Sequence, residues 1–178
     1  MKIYLVGFMG AGKTTIGQGL AERLGFAFAD LDSIAERIEG RTIKEIFATS
    51  GEPYFRQLER ELLSTTREWT RTVIATGGGT FTFEENIQFI RAQGLSIFIS
   101  TPFEIIASRI SEKAEARPLF RDEATAYELY QNRAKCYRMA DKTIEVRGGE
   151  TVPEVVERIV IDLPRDVFAS ASRVPLRP

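Results

Sequence analysis

Eight residues near the start constrain this chain more than anything after them. Gly7-Phe8-Met9-Gly10-Ala11-Gly12-Lys13-Thr14 fits the pattern G-x-x-x-x-G-K-[ST]. The apolar run Ile3-Tyr4-Leu5-Val6 leads into it, and Ile16, Leu20 and Leu24 follow at helical spacing. A strand, a glycine-rich loop and a helix in that order form a cradle for phosphate. The glycines let consecutive N–H groups turn inward, and the start of the helix adds its partial positive charge. Lys13 is placed to reach the β- and γ-phosphates of a nucleotide, and the Thr14 hydroxyl to ligate Mg²⁺. Gly10, Ala11, Gly12 and Thr15 complete the nucleotide-binding set. A glycine-rich turn with a surface lysine is the bland alternative, and the strand–loop–helix setting argues against it.

The rest of the pattern extends this first unit. Short β-rich runs lie at 3–6, 26–29, 72–75, 95–99 and 142–146, separated by stretches with helical spacing. The helix-start pattern S/T-x-x-E occurs at Ser33, Thr42, Thr82, Thr101 and Thr151. Pro53 and Pro102 suit first helical turns. Strands alternating with helices imply right-handed crossovers and a three-layer α/β/α domain around a parallel sheet. At 178 residues, with 43% apolar and 28% charged residues, the chain suits one globular domain. We assign that domain to 1–163. Residues 164–178, bracketed by Pro164, Pro175 and Pro178, read as a tail, loosely held or docked on the surface.

Composition removes several chemistries. Lys and Arg total 24 against 25 acids, a net charge of −1, so no nucleic-acid partner is expected. There is no histidine, which excludes histidine triads, histidine bases and H-E-x-x-H zinc sites. The single Cys136 excludes an intrachain disulfide. No stretch has the length of a membrane span, and the start lacks a signal-peptide pattern. A soluble, cytoplasmic monomer without a membrane partner is the expectation.

Three cues narrow the class of phosphate binder. No guanine-reading N-K-x-D is present. The run Val73-Ile74-Ala75-Thr76 ends in Gly77-Gly78-Gly79 rather than in the usual Walker B aspartate. Asp30-Leu31-Asp32 follows the second expected strand, at the strand ends where open α/β sheets bind ligands. Further along come Ile43-Lys44-Glu45-Ile46-Phe47, Gly51-Glu52, Phe55-Arg56 with Glu59, Arg117-Pro118-Leu119, and Arg133 with Tyr137. In that joint order the chain resembles shikimate kinase over roughly residues 1–163. The resemblance implies a five-stranded parallel sheet in order 2-3-1-4-5. It also implies transfer of the ATP γ-phosphoryl group to the 3-hydroxyl of shikimate, a step of chorismate and aromatic amino-acid biosynthesis.

Shikimate is a small anion with one carboxylate and three ring hydroxyls. Guanidinium forks match a carboxylate, which suits Arg56 and Arg133, both at positions that match family substrate-binding arginines. Asp32 is the candidate for holding the attacking hydroxyl, and Asp30 for supporting Mg²⁺, through water. Gly77, Gly78 and Gly79 would bring backbone N–H groups beside the substrate. Glu59, three residues after Arg56, would hold it by a salt bridge. The polar stretch 111–122 reads as a lid over the phosphates, with Arg117 matching the family's lid arginine at the transferring group. Arg109 is read as stacking on adenine, with the adenine loop near 146–150. A packed thiol is the reading for Cys136. Two other functions stay open from sequence: a kinase for another small hydroxylated acid such as gluconate, and a nucleotide-binding regulator without turnover.

Overall fold

A computed structural model describes residues 1–111, 123–164 and 167. Five strands form one sheet: β1 (Lys2–Val6), β2 (Ala27–Asp30), β3 (Thr72–Ala75), β4 (Leu95–Ser100) and β5 (Lys142–Glu145). All four pairings are parallel, in the order β2-β3-β1-β4-β5. Every residue of β1 and β3 is buried, whereas edge strand β2 is partly open. That gradient explains why the central runs are continuously apolar and the edge runs are not.

The helices are α1 (Lys13–Leu24), α2 (Leu31–Glu39), α3 (Ile43–Thr65), α4 (Glu84–Gln93), α5 (Phe103–Ser111), α6 (Glu123–Tyr137) and α7 (Val152–Asp162), of which all but α7 lie in crossovers between strands. Helix α1 packs with α7, and α3 with α4. One core joins Ile16 and Leu20 of α1, the inner strands, Ile87 and Ile90 of α4, Tyr137 of α6 and Val155 and Ile159 of α7. A second cluster, Ala35, Ile46, Phe55, Leu58 and Leu62, ties α2 to α3. Val167 joins the main core at 2% exposure, so the chain touches the core beyond Leu163. No helix among the described residues is long and apolar enough to cross a membrane.

The helix starts follow the sequence signals in part. At α3, the Thr42 hydroxyl accepts from Glu45 N at 3.2 Å, while the Glu45 carboxylate accepts from Thr42 N at 2.7 Å. At α7, Glu154 accepts from Thr151 N at 2.7 Å. Elsewhere other residues intervene. Asp30, not Ser33, caps α2, accepting from the N–H groups of Asp32 and Ser33 at 3.0 and 3.2 Å. Phe83 takes the N-cap position of α4 without a side-chain bond, and the Thr82 hydroxyl donates backward to Gly79 O at 2.7 Å. The Thr101 hydroxyl donates across the fold to Ala11 O at 2.9 Å. Pro53 lies just beyond a break in α3 at Gly51, where φ is 82°, and so starts the helix's second stretch.

Candidate active site

The ends of three adjacent strands build the site. Strand β1 runs into the glycine-rich loop, β3 into the glycine triplet, and β2 into Asp30 and Asp32. The Thr76 N–H and hydroxyl both donate to Leu5 O at 3.1 Å, stitching β3 to β1 where the two loops diverge.

In the first loop, Gly7, Gly10 and Gly12 have φ of 145°, 78° and 98°, the region that favours glycine. Several loop carbonyls are held by donors from this chain. Lys13 Nζ donates to Gly7 O and Phe8 O at 2.9 Å each. Thr101 holds Ala11 O, and Arg109 Nη1 reaches Gly10 O at 3.3 Å. Lys13 is 9% exposed and opens the first turn of α1. The Thr14 hydroxyl donates to Asp30 Oδ2 at 2.6 Å. Asp30 thus caps α2 with one oxygen and meets the loop hydroxyl with the other.

The triplet Gly77–Gly79 has no positive φ. Its requirement is space. A Cβ at Gly77 would collide with Glu59 Oε1 and would lie 2.7 Å from Asp32 Oδ1; a Cβ at Gly79 would collide with the Arg56 guanidinium. What approaches this backbone is the site's own polar side chains. The Gly78 carbonyl accepts from Arg133 Nη1 at 3.2 Å and from the Tyr137 hydroxyl. Burial of that phenol pushes its pKa well up, keeping it a donor.

Arg56 is anchored on several sides. Its Nη1 donates to Glu59 Oε2 at 2.8 Å, and Glu52 Oε1 accepts from Nη2 at 2.8 Å. Glu59, 3% exposed, also accepts from the Thr80 hydroxyl at 2.6 Å. The Phe47, Phe55 and Phe83 rings stand 5.5–5.8 Å from Arg56 Cζ. Burial works against the guanidinium charge, but the Glu59 and Glu52 carboxylates outweigh it, holding the pKa above its ordinary value.

Two cavities meet at these residues. The first, about 340 Å³, is lined by Asp32, Arg56, Glu59, Gly77–Gly79 and Arg133. The second, about 580 Å³, is lined by Gly10, Gly12–Thr15 and Arg109. Met9, Thr14, Asp30, Asp32 and Gly78 line both. Sequence reasoning gave no role to several residues on these walls. Met9, Ser33, Glu36, Ile43, Phe47 and Phe55 line the first; Thr76, Val152 and Val155 line the second, beside Val146 and Glu150 of the stretch read as the adenine loop. Phe47 and Phe55 flank a buried arginine, so their signal was an aromatic residue set near a cation. Arg117 and most of the expected lid fall outside the described residues. Cys136 is half-buried on α6.

A family model described as shikimate kinase matches residues 9–164. The chain belongs to the shikimate kinase family. A shikimate kinase of Synechococcus elongatus is 39% identical over 178 residues, covering 98% of this chain and 93% of that protein. One of Aquifex aeolicus is 39% identical over 163 residues, covering 92% of this chain and 96% of the relative. The shikimate kinase of Acinetobacter baumannii in complex with shikimate superposes with a TM-score of 0.85 at 36% identity, covering 96% of this chain and 94% of that one. A deoxyadenosine kinase from M. mycoides, with a TM-score of 0.60 at 16% identity, shares the fold. As a member of the shikimate kinase family, the chain is a phosphotransferase.

Proposed function

We propose that this chain transfers the γ-phosphoryl group of ATP to the 3-hydroxyl of shikimate, giving shikimate 3-phosphate and ADP in the route to chorismate. The observation that carries this reading is the junction of the two cavities. One has the makings of a triphosphate site and the other of a small-acid site, and Thr14, Asp30, Asp32 and Gly78 line both. An acceptor hydroxyl and a terminal phosphate can meet only at such a junction.

On this reading the N–H groups from Gly10 to Thr15 hold the phosphates, with Lys13 leaving its loop carbonyls for the β- and γ-oxygens. Arg109, which lines the same cavity, stacks on the adenine in this reading. Arg56 and Arg133 take the acceptor's carboxylate, and Gly77–Gly79 let the ring lie close to main chain. Asp32 orients the 3-hydroxyl and receives its proton as the bond to phosphorus forms. The transition state is loose, so orientation contributes more than basicity. Arg117 is assigned to the transferring group on the resemblance alone.

The Thr14 hydroxyl and Asp30 carboxylate, 2.6 Å apart, offer the hard oxygen donors that Mg²⁺ prefers. No cluster of three acidic, histidine or cysteine ligands occurs among the described residues, which fits an ion held largely by phosphate and water. Mg²⁺ bound there would neutralise charge on the β- and γ-phosphates. The same proposal takes 1–163 as one domain with a lid at about 111–122 and a tail from 164, acting as a cytoplasmic monomer without nucleic-acid or membrane partners.

The test is a coupled ADP-release assay with ATP, Mg²⁺ and shikimate. ADP release should depend on shikimate and vanish on chelation of the metal. Folded protein that binds ATP yet gains nothing from shikimate would reject the reading, and turnover with gluconate instead would redirect it.

A further inference from the structure

Gly51-Glu52 stands out in the sequence but has no part in the reaction as described. The break at Gly51 lets α3 restart, which sets Glu52 one helical turn before Arg56. Glu52 Oε1 accepts from Arg56 Nε at 3.1 Å and from Nη2 at 2.8 Å. These two N–H groups form the side-on edge of the guanidinium, an edge that a carboxylate takes with two parallel bonds.

We infer that Glu52 is a tethered rival of the substrate: a carboxylate already seated on the arginine fork, which weakens binding of the acid it imitates. The inference rests on the proposed role of Arg56 in carboxylate recognition. The two acids on Arg56 are unequal. Glu59 has a side-chain exposure of 3% and is fixed by Thr80, whereas Glu52 is 53% exposed. Glu59 and three aromatic rings suffice to hold the guanidinium, and a half-exposed ion pair adds little to stability. Glu52 does add charge. Two carboxylates on one guanidinium leave an excess of negative charge where an anion is to dock. Asp30, Asp32 and Glu36 add to it on the cavity wall, against Arg56 and Arg133. An incoming carboxylate must therefore either displace Glu52 from that edge or take what is left of the fork, and it meets repulsion in either case.

Glu52→Gln keeps an oxygen acceptor for the guanidinium and removes the charge. Calorimetry should show shikimate binding about three- to tenfold tighter, with the KM for ATP unchanged. The methyl ester of shikimate, the same ring without the negative charge, should gain nothing. Unchanged or weaker binding of the acid overturns the inference, as does equal tightening of the ester. Arg56→Lys, measured alongside, separates this from the reading beneath it, because it keeps a cation against Glu59 and loses the fork. If Arg56→Lys binds the acid as well as the parent protein, carboxylate recognition by Arg56 fails. If it binds the acid weakly while Glu52→Gln shows no gain, the rivalry alone fails.

Discussion

Asp32 and Asp30 sit two positions apart and divide their work. Asp30 spends one oxygen on the N-terminus of α2 and the other on Thr14, while Asp32 lines both cavities. Asp32→Asn should therefore lower kcat by about 10²–10⁴-fold while ATP binding, followed by calorimetry, persists. Unchanged turnover would remove Asp32 from the reaction. Arg56 offers a second test. Arg56→Lys should raise the KM for shikimate by roughly tenfold or more, and that for ATP by less than about twofold. Equal changes in both would place the arginine outside the acceptor site. Arg56→Ala is a different experiment, since it strands the buried Glu59 carboxylate and should cost about 3–5 kcal/mol of stability, visible in urea unfolding. Sequence reading pointed to Arg56 by its match to a family substrate-binding arginine, and to Glu59 by its three-residue spacing from it. It did not reveal the three rings around the guanidinium, because Phe83 reaches Arg56 only through the tertiary fold.

The central strands β1, β3 and β4 were legible within about a residue at their ends, because a strand buried on both faces has to be continuously apolar. Helix starts were less so. Thr42 and Thr151 make the expected contacts, but Ser33, Thr82 and Thr101 do not cap. Ser33 and Thr82 lost to competitors three residues back, the strand-end Asp30 and the Gly79 carbonyl, and Thr101 to the Ala11 carbonyl, which only the fold brings near. The two caps that form give a pH prediction. The Thr42 N–H and hydroxyl hold Glu45 below its ordinary value of 4.5, and the Thr151 hydroxyl and N–H do the same for Glu154. A carboxyl with a depressed folded-state pKa contributes stability that is present above the unfolded value and lost as pH falls through the folded one. Acid unfolding should thus draw on both caps below about pH 4.5. In the double variant Glu45→Gln, Glu154→Gln the loss of thermal midpoint between pH 5 and pH 3 should shrink, and an identical pH slope would refute the link. The glycine triplet makes a prediction of its own element. Gly79→Ala drives a methyl group into the Arg56 guanidinium, so affinity for shikimate should fall at least tenfold with ATP binding retained.

At the scale of the molecule, strand order does what no single motif could. Placing β3 between β2 and β1 brings together loops that lie more than sixty residues apart in the chain. Sequence periodicity supplied five runs and their crossovers, but their lateral order came only from the resemblance to the family, since apolar spacing carries no information about neighbours. The reach of Val167 into the core was not legible either, because one valine in a proline-bracketed stretch has no period to reveal it. Saturation with both ligands should raise the thermal midpoint, each contributing about 2.7 kcal/mol at one hundred times its dissociation constant. The wall formed by Gly77, Gly78 and Gly79 also bears on drug resistance. A compound pressed against it meets main chain flanked by Asp32, Glu59 and Arg56, and there is no room at Gly77 or Gly79 for even a methyl group without displacing one of those side chains. A substitution that pushed such a compound off that wall would do so only at the expense of the pocket that takes the acceptor.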